Sequence, residues 1–336
     1  MPQLAQRMSR AKPSAIMVIA DNAKRLKAEG RDIISFSIGV PNFLPGEHVY
    51  AAAREALEHD SGQYGSNRGP DALLDAFLAH LRGLGLDGYT RANCSTGVGA
   101  KHVLYNLYEA LLDEGDTIAF PTPYWTSYVD IAEIVGARVQ LLPCGPEQNY
   151  KLTPAQLDAA LASKPKVFLF NNPSNPTGMV YTSDEIRALA AVLVRHPDTW
   201  IITDDIYNKM IFDGLGYHNF LHFQPGLRDR VIFLDSLSKT YGMPGWRMGF
   251  MADHAQLEPH HQRLRDRHRR RHRRADRPAG RAHRALRRVR AETRSGAGRA
   301  QRHPRRGLPE AAGRVLRVPG HLLRVRQIAQ RQAHRQ

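Results

Sequence analysis

The sequence predicts an α/β fold with a mostly parallel central sheet flanked by helices. From residue 117 onward, short apolar runs alternate with stretches of helical periodicity, which is typical of strands joined by crossover helices. Three of these runs are followed directly by polar clusters. No apolar run reaches the ~18 residues that a membrane-spanning helix needs. The predicted strands of this sheet are 117–120, 138–142, 166–170, 200–203 and 231–234.

The segment before residue 117 predicts mainly helices. Apolar positions recur at helical spacing from residue 15 to 29, and Gly30 follows as a usual helix stop. Further helices are predicted over 47–59, 71–81 and 100–112, with a polar loop at 61–70. Residues 33–38 read as a short strand that runs into a turn at 39–42.

The three polar clusters each begin where a predicted strand ends. Residues 171–178 (N-N-P-S-N-P-T-G), 204–207 (D-D-I-Y) and 236–239 (S-L-S-K) follow the strands that end at 170, 203 and 234. Parallel strands place their carboxyl ends at one edge of the sheet, and ligands of open α/β sheets bind there. We therefore expect these clusters to converge on one site.

Lys239 is the most reactive group among them. An amine at a strand end can form a Schiff base with a carbonyl cofactor. The hydroxyls of Ser236 and Ser238 and the guanidinium of Arg247 offer a phosphate charge-assisted hydrogen bonds. Together these groups indicate a phosphorylated aldehyde, and pyridoxal phosphate fits that description. An isolated S-x-S-K would otherwise be a surface lysine in a turn.

A second anion-binding feature precedes the sheet. Residues 95–101 (S-T-G-V-G-A-K) form a glycine-rich turn that opens the helix predicted from 100. Free N–H groups and the helix dipole make such a turn an anion site, although an ordinary turn has the same composition.

The pattern S-x-S-K followed by G-W-R-x-G resembles the lysine signature of the class I/II, aspartate-type aminotransferases, which are pyridoxal-phosphate enzymes of fold type I. The resemblance covers residues 13–253. It implies that Lys239 is the catalytic base and holds the cofactor, that Asp204 contacts the ring nitrogen, and that Tyr207 and Asn175 contact the phenolic oxygen. It further implies that Trp125 stacks on the ring and that Gly39, with Trp125 and Asn175, contacts the substrate. The phosphate contacts that it implies are Gly99, Ala100, Lys101, Ser236, Ser238, Arg247 and, from a neighbouring subunit of a homodimer, Tyr64.

The activity implied is transfer of an amino group between an amino acid and a 2-oxo acid. Lys101 resembles a lysine that recognises acidic substrates in one subgroup of the family, which favours aspartate or glutamate as the amino donor. A lyase or synthase of the same fold is the alternative, because these residues fix the cofactor and not the reaction. Burial near Arg247 is expected to lower the pKa of Lys239, as a general base requires.

The composition changes sharply near residue 261. Residues 261–336 contain 25 arginines, no lysine and four acidic residues, a net charge of +21, which leaves −5 of the total +16 for residues 1–260. We predict three segments: an N-terminal segment at 1–38 that contributes to a small domain, a large cofactor-binding domain at 39–253, and an arginine-rich tail at 254–336. The tail stands in place of the family's C-terminal domain, so the small domain is expected to be incomplete. No motif in the tail matches the family's arginine for the substrate α-carboxylate.

Three interpretations of the tail are open. The first is a nucleic-acid-binding arm, in which case the chain would be a catalytically impaired, truncated protein. The second is a disordered extension. The third is the product of a frameshift in a G+C-rich gene. The absence of lysine and the change within a domain favour a frameshift. Two cysteines give neither a disulfide framework nor a metal-ligand spacing, so no metal is expected. Residues 1–10 lack the apolar core of a signal peptide, and we expect a cytoplasmic protein.

Overall fold

A seven-stranded sheet forms the centre of the molecule. A computed structural model describes residues 3–11, 15–59 and 64–255. The strand order is β1-β7-β6-β5-β4-β2-β3. Neighbours from β6 to β3 pair in parallel, and β7 runs antiparallel to both β6 and β1. The strands are β1 Cys94–Val98, β2 Thr117–Thr122, β3 Arg138–Pro143, β4 Val167–Asn171, β5 Trp200–Asp204, β6 Val231–Ser236 and β7 Met248–Asp253.

Helices cover both faces of this sheet. Apolar side chains of α3, α6 and α7 pack on one face, and those of α4 and α5 pack on the other. This confirms the predicted fold class. The helices are α1 Ala15–Ala28, α2 Glu47–His59, α3 Asp71–Gly83, α4 Ala100–Leu111, α5 Ser127–Val135, α6 Pro154–Ala162, α7 Ser183–Arg195 and α8 Leu237–Thr240.

The central strands are apolar throughout because both of their faces are covered. In β6, Val231 and Phe233 belong to the core on the α3 side, while Ile232 and Leu234 belong to the core on the α4 side. All four are at most 1% exposed. A continuous apolar run is the usual pattern of a parallel strand buried on both faces, which explains why these strands were visible in the sequence.

Two strands were missed and one was wrongly predicted. β1 coincides with residues read as a glycine-rich turn, and β7 coincides with the end of the G-W-R-x-G motif. The strand predicted over 33–38 does not form: these residues have no regular structure, and Phe36 is 92% exposed. The alternation of apolar residues there is genuine, but no neighbouring strand pairs with it among the described residues.

Residues 256–336, which include nearly all of the predicted tail, lie outside the described part of the chain. The described helices include none that is long and apolar enough to cross a membrane.

Candidate active site

The carboxyl ends of β4, β5 and β6 meet at one edge of the sheet, as predicted. Asn171, the last residue of β4, lies opposite Asp204, the last residue of β5, and Asp204 in turn lies opposite Leu234 of β6. The Asn171 amide donates to the Asp204 carbonyl at 2.7 Å, and its oxygen accepts the backbone N–H of Asn175 at 2.7 Å. Asn171 therefore ties the N-P-T-G turn to the aspartate loop.

Asp204 is buried at this edge, with 3% of its surface exposed. Burial raises the pKa of its carboxyl to about 6, although hydrogen bonds from Tyr128 and the Ile206 N–H oppose the rise. The Tyr128 hydroxyl donates to Oδ2 at 2.6 Å, and the Ile206 N–H lies 3.4 Å from Oδ1. The site thus contains a carboxylate in an apolar environment with little hydrogen bonding, which favours a cationic partner.

The Lys239 amine points across the same edge. Its Nζ donates to the Gly39 carbonyl at 2.6 Å and lies 5.9 Å from the centre of the Tyr207 ring. Burial lowers the pKa of Lys239, in the predicted direction. Burial is the main cause of the lowering.

A cradle for an anion forms where β1 turns into α4. Gly99 precedes α4 with φ 83°, a conformation that glycine adopts readily. The first N–H groups of the helix, those of Ala100 and Lys101, have no intrahelical partner. Gly249 of β7 lies against this turn, where a Cβ would come within 2.5 Å of the Ala100 nitrogen. Only glycine at this position lets the strand approach the turn.

A hydroxyl and a guanidinium lie beside the cradle: Ser236 pairs with Gly249 across the sheet, and Arg247 contacts Val98. The Ser236 hydroxyl accepts the Ser238 N–H at 3.1 Å, so its own proton remains available to a ligand. The Arg247 guanidinium donates to the carbonyls of Pro244 at 2.9 Å and Val98 at 3.3 Å. Among the described residues no carboxylate pairs with Arg247, which leaves its charge available to an anion.

Aromatic side chains line the other side of the site. Trp125 stands perpendicular to Tyr128 at 5.5 Å between ring centres, and the Lys101 amine lies 5.0 Å from the centre of the Trp125 ring. Burial raises the pKa of Tyr207 to about 12, while a hydrogen bond with Asn175 acts in the opposite direction. Tyr207 and Asn175 are therefore neighbours, as the sequence implied.

Tyr64, which is predicted to reach the phosphate of a neighbouring subunit, is fully exposed in the single chain. Sequence reasoning missed Tyr128, and it included Asn171 in the cluster 171–178 without giving this residue a role of its own. Tyr128 lies on the first turn of α5, three residues after the predicted Trp125, but its contact with Asp204 spans 76 positions of sequence.

A family model for aminotransferase class I and II matches residues 31–278. The chain belongs to this family. It is 39% identical over 255 residues to the aspartate/prephenate aminotransferase of Cereibacter sphaeroides, covering 76% of this chain and 64% of that protein. It is 38% identical to the aspartate aminotransferase of Geobacillus stearothermophilus, and this match covers 74% of this chain and 63% of that protein. The match begins later and extends further than the expected 13–253.

Solved structures give the same answer for the fold. The aspartate aminotransferase of Rhizobium meliloti matches with a TM-score of 0.73 at 33% identity, over 77% of this chain and 65% of that one. The corresponding enzyme of Thermus thermophilus, solved with maleate, matches with a TM-score of 0.72 at 30% identity, over 77% and 67%. The fold is therefore that of the fold-type I aminotransferases. The chain spans just under two thirds of the length of the curated relatives it matches.

Enzymes of this family use pyridoxal phosphate, and the residues of the edge fit that group. The phosphate requires anion donors, which the start of α4, Ser236 and Arg247 provide. The ring nitrogen requires a carboxylate, which Asp204 provides in a buried position. The aldehyde requires an amine, and Lys239 lies on α8 directly after the strand that bears Ser236.

Proposed function

We propose that the chain binds pyridoxal phosphate through Lys239 and transfers amino groups between an amino acid and a 2-oxo acid. The observation that supports this most strongly is the convergence at one sheet edge of a lysine of lowered pKa, a buried aspartate and an anion cradle. These are the three contacts that a phosphorylated pyridine aldehyde needs. The family and the names of the relatives point to the same reaction.

When bound, the cofactor supplies an electron sink for the charge that develops at the substrate Cα. Asp204 keeps a proton on the ring nitrogen, since its buried carboxylate is stabilised by a positive neighbour. Asn175 and Tyr207 would donate to its phenolic oxygen, and Trp125 would lie against its ring. Lys239 Nζ would serve as the general base that accepts the proton from the substrate Cα, a role that its lowered pKa favours.

The substrate we propose is an acidic amino acid. Lys101 is the second residue of α4, beside the cradle, and its amine lies near Trp125, which places a cation next to the aromatic face of the site. The Gly39 carbonyl accepts a hydrogen bond from Lys239 Nζ, so the chain around Gly39 lies at the site. We propose that Gly39, Trp125 and Asn175 contact the substrate.

Domains and assembly are part of the proposal. Residues 1–38 contribute to a small domain, 39–253 form the cofactor domain, and the chain forms a homodimer in which Tyr64 reaches the partner's phosphate. The complete exposure of Tyr64 in the single chain supports this. Sedimentation velocity tests the dimer, and a single monomer boundary at micromolar concentration would contradict it.

We also propose that the protein is cytoplasmic. Cys94 and Cys144 are buried free thiols, which suits a reducing compartment.

For the tail we propose a frameshift, on the strength of its composition. Resequencing the codons for residues 251–261 tests it: a one-base correction that opens a frame with aromatic residues and a family-type arginine supports the proposal, and an unchanged frame refutes it. Because the tail has no match for the family's carboxylate-binding arginine, we expect this chain to bind the cofactor well and the substrate weakly.

Turnover tests the reaction itself. The full chain, loaded with cofactor, is given L-aspartate and 2-oxoglutarate, and glutamate and free ammonia are measured. Glutamate without free ammonia indicates transamination, whereas free ammonia without glutamate indicates a lyase. Lys239→Ala is expected to lose all turnover, and Lys24→Ala, which removes an exposed lysine of α1, is expected to keep it. Transamination retained by Lys239→Ala would exclude the proposed role of this lysine.

A further inference from the structure

A second buried aspartate, Asp235, lies behind the proposed site and is not used by it. It is the residue before Ser236 at the end of β6 and is 4% exposed. Its Oδ1 accepts the N–H of Ser236 at 2.6 Å. Its Oδ2 lies 2.7 Å from the amide nitrogen of Asn208 and 2.9 Å from Nε2 of His80. One carboxylate therefore joins three parts of the chain: α3, the loop after β5, and the turn that leads to Lys239.

The two segments joined by Asp235 and Asn208 bear five of the twelve proposed cofactor contacts, including Asp204 and Lys239. Asn208 follows Tyr207 in the loop that begins at Asp204. On the other side, the Ser236 hydroxyl accepts the N–H of Ser238, the residue before Lys239. The contact at Asp235 thus fixes the spacing between the aspartate loop, 204–208, and the lysine turn, 235–239.

The hydrogen-bond inventory of Asn208 shows that this contact has a single orientation. An asparagine amide has two N–H donors. The Nδ2 of Asn208 lies 2.7 Å from both the Asp205 carbonyl and Asp235 Oδ2, so both donors are used. Its Oδ1 is buried and has no hydrogen-bond partner within the described part of the chain. Rotating the amide would bring that oxygen against two acceptors, and the unsatisfied oxygen is therefore the cost of holding Asn208 on Asp235.

His80 anchors the carboxylate from outside the sheet. It belongs to α3, its side chain is 18% exposed, and its ring is stacked against Phe77 of the core at 6.3 Å. A ring held by core packing restrains the carboxylate that it contacts. The restraint passes from α3 through Asp235 to both segments of the site.

We propose that Asp235, held by His80 and bonded to Asn208, is a positioning residue that sets the distance between the aspartate loop and the lysine turn. This inference rests on the proposed cofactor function, because the aligned groups are the ones assigned to pyridoxal phosphate. Asp235 touches none of the reacting atoms. Its effect is on the affinity for the cofactor and on the orientation of the cofactor in the site.

The test compares cofactor binding with stability in three variants and a control. Asp235→Asn places an amide NH2 against donors in either orientation, facing the Ser236 N–H in one and Asn208 with His80 in the other. Asn208→Ala removes the contact from the other side, and the double variant changes both partners. Thr199→Val is the control: Thr199 is equally buried and donates to the Pro165 carbonyl at 2.8 Å, at the opposite end of β5. Each is titrated with pyridoxal phosphate, and the circular dichroism of the bound cofactor and the melting temperature without cofactor are recorded.

We expect each single variant to bind the cofactor about tenfold more weakly, because this corresponds to the loss of one hydrogen bond to a charged group. The dichroism band of the bound cofactor should also weaken. The double variant is expected to be no worse than the weaker single one, because both break the same contact. Thr199→Val is expected to lower the melting temperature without changing the affinity. Where Asp235→Asn does not fold, Asn208→Ala alone decides.

The outcomes separate this inference from the proposed function. If the wild-type chain shows no cofactor band, the proposed function fails and this inference fails with it. If the wild type binds and the variants bind equally well, only the positioning role is refuted. If the cofactor affinity falls in all four variants in proportion to the melting temperature, Asp235 has a purely structural role, and the positioning role is again refuted.

Discussion

Replacing Asp204 by asparagine should make the cofactor-free protein more stable at alkaline pH while it destroys cofactor binding. The carboxyl is buried, and its pKa rises from an ordinary 3.8 to about 6. A group whose pKa is higher in the folded state stabilises the fold at low pH, and this stabilisation is lost as the pH rises through the folded-state value. At pH 8 the folded protein therefore contains a buried, ionised carboxylate that asparagine would remove.

The size of the effect follows from the same values. A rise from 3.8 to about 6 corresponds to about 3 kcal/mol against the ionised form. Asparagine keeps only one of the two acceptors that now face Tyr128 and the Ile206 N–H, which costs about 1 kcal/mol. We expect Asp204→Asn to be about 2 kcal/mol more stable than the wild type at pH 8. About half of the electrostatic gain should disappear at pH 5.

Urea unfolding of the cofactor-free proteins at pH 5 and pH 8 measures this difference. Asp184→Asn serves as the matched control, because Asp184 is exposed on α7 and paired with Arg187 at the surface; its effect should be small at both pH values. The same Asp204→Asn protein is then titrated with pyridoxal phosphate, and we expect binding to be lost. An Asp204→Asn protein that is less stable than the wild type at pH 8, or a stability difference that does not change with pH, would refute the reasoning.

Four further predictions concern the cradle and the ring contacts. Tyr128→Phe removes a hydrogen bond that lowers the pKa of Asp204. The pH at which cofactor binding falls to half on acidification should therefore rise by about one unit, and an unchanged value would contradict this. Gly249→Ala forces β7 away from the Ala100 nitrogen; urea unfolding should show a loss of about 1–3 kcal/mol, with weaker cofactor binding, and an unchanged variant would count against the cradle. Arg247→Ala should weaken pyridoxal phosphate about tenfold or more but leave unphosphorylated pyridoxal unchanged; equal losses would refute a phosphate contact. Lys101→Ala should raise the KM for aspartate more than that for alanine, and equal changes would exclude its role in selecting acidic substrates.

The position of the site could be predicted from the sequence because it depends on topology more than on side-chain detail. Once Asn171, Asp204 and Ser236 each end an apolar run, parallel pairing is sufficient to bring them together, and the observed register does so. Burial of Asp204 and Lys239 follows from the same argument, since both lie where covered strands end.

Contacts between distant elements could not be predicted in this way. Tyr128 reaches Asp204 from α5, and His80 reaches Asp235 from α3 across 155 positions of sequence. No local pattern encodes such contacts, because they depend on how helices pack on the sheet. Gly249 was visible only as a letter of a motif; the close approach to Ala100 supplies its physical reason.

The errors in the strands have a common cause. Residues 94–98 include a glycine and small polar side chains, which have weak strand propensity, yet they form β1 because β7 pairs with them. Residues 33–38 alternate as a strand should, yet Ile34 and Phe36 are 79% and 92% exposed. Pairing with a neighbouring strand decides both cases, and a single sequence contains little information about it.

Chemical mapping of the cofactor-bearing lysine tests the central claim most directly. The full chain is incubated with pyridoxal phosphate, treated with sodium borohydride to make the lysine–cofactor bond permanent, digested, and analysed by mass spectrometry. We predict a single major modified peptide in which Lys239 carries the cofactor, and no such peptide from Lys239→Ala. Modification spread over exposed lysines such as Lys24, or the same labelling in the wild type and in Lys239→Ala, would contradict the assignment of this sheet edge as a pyridoxal-phosphate site.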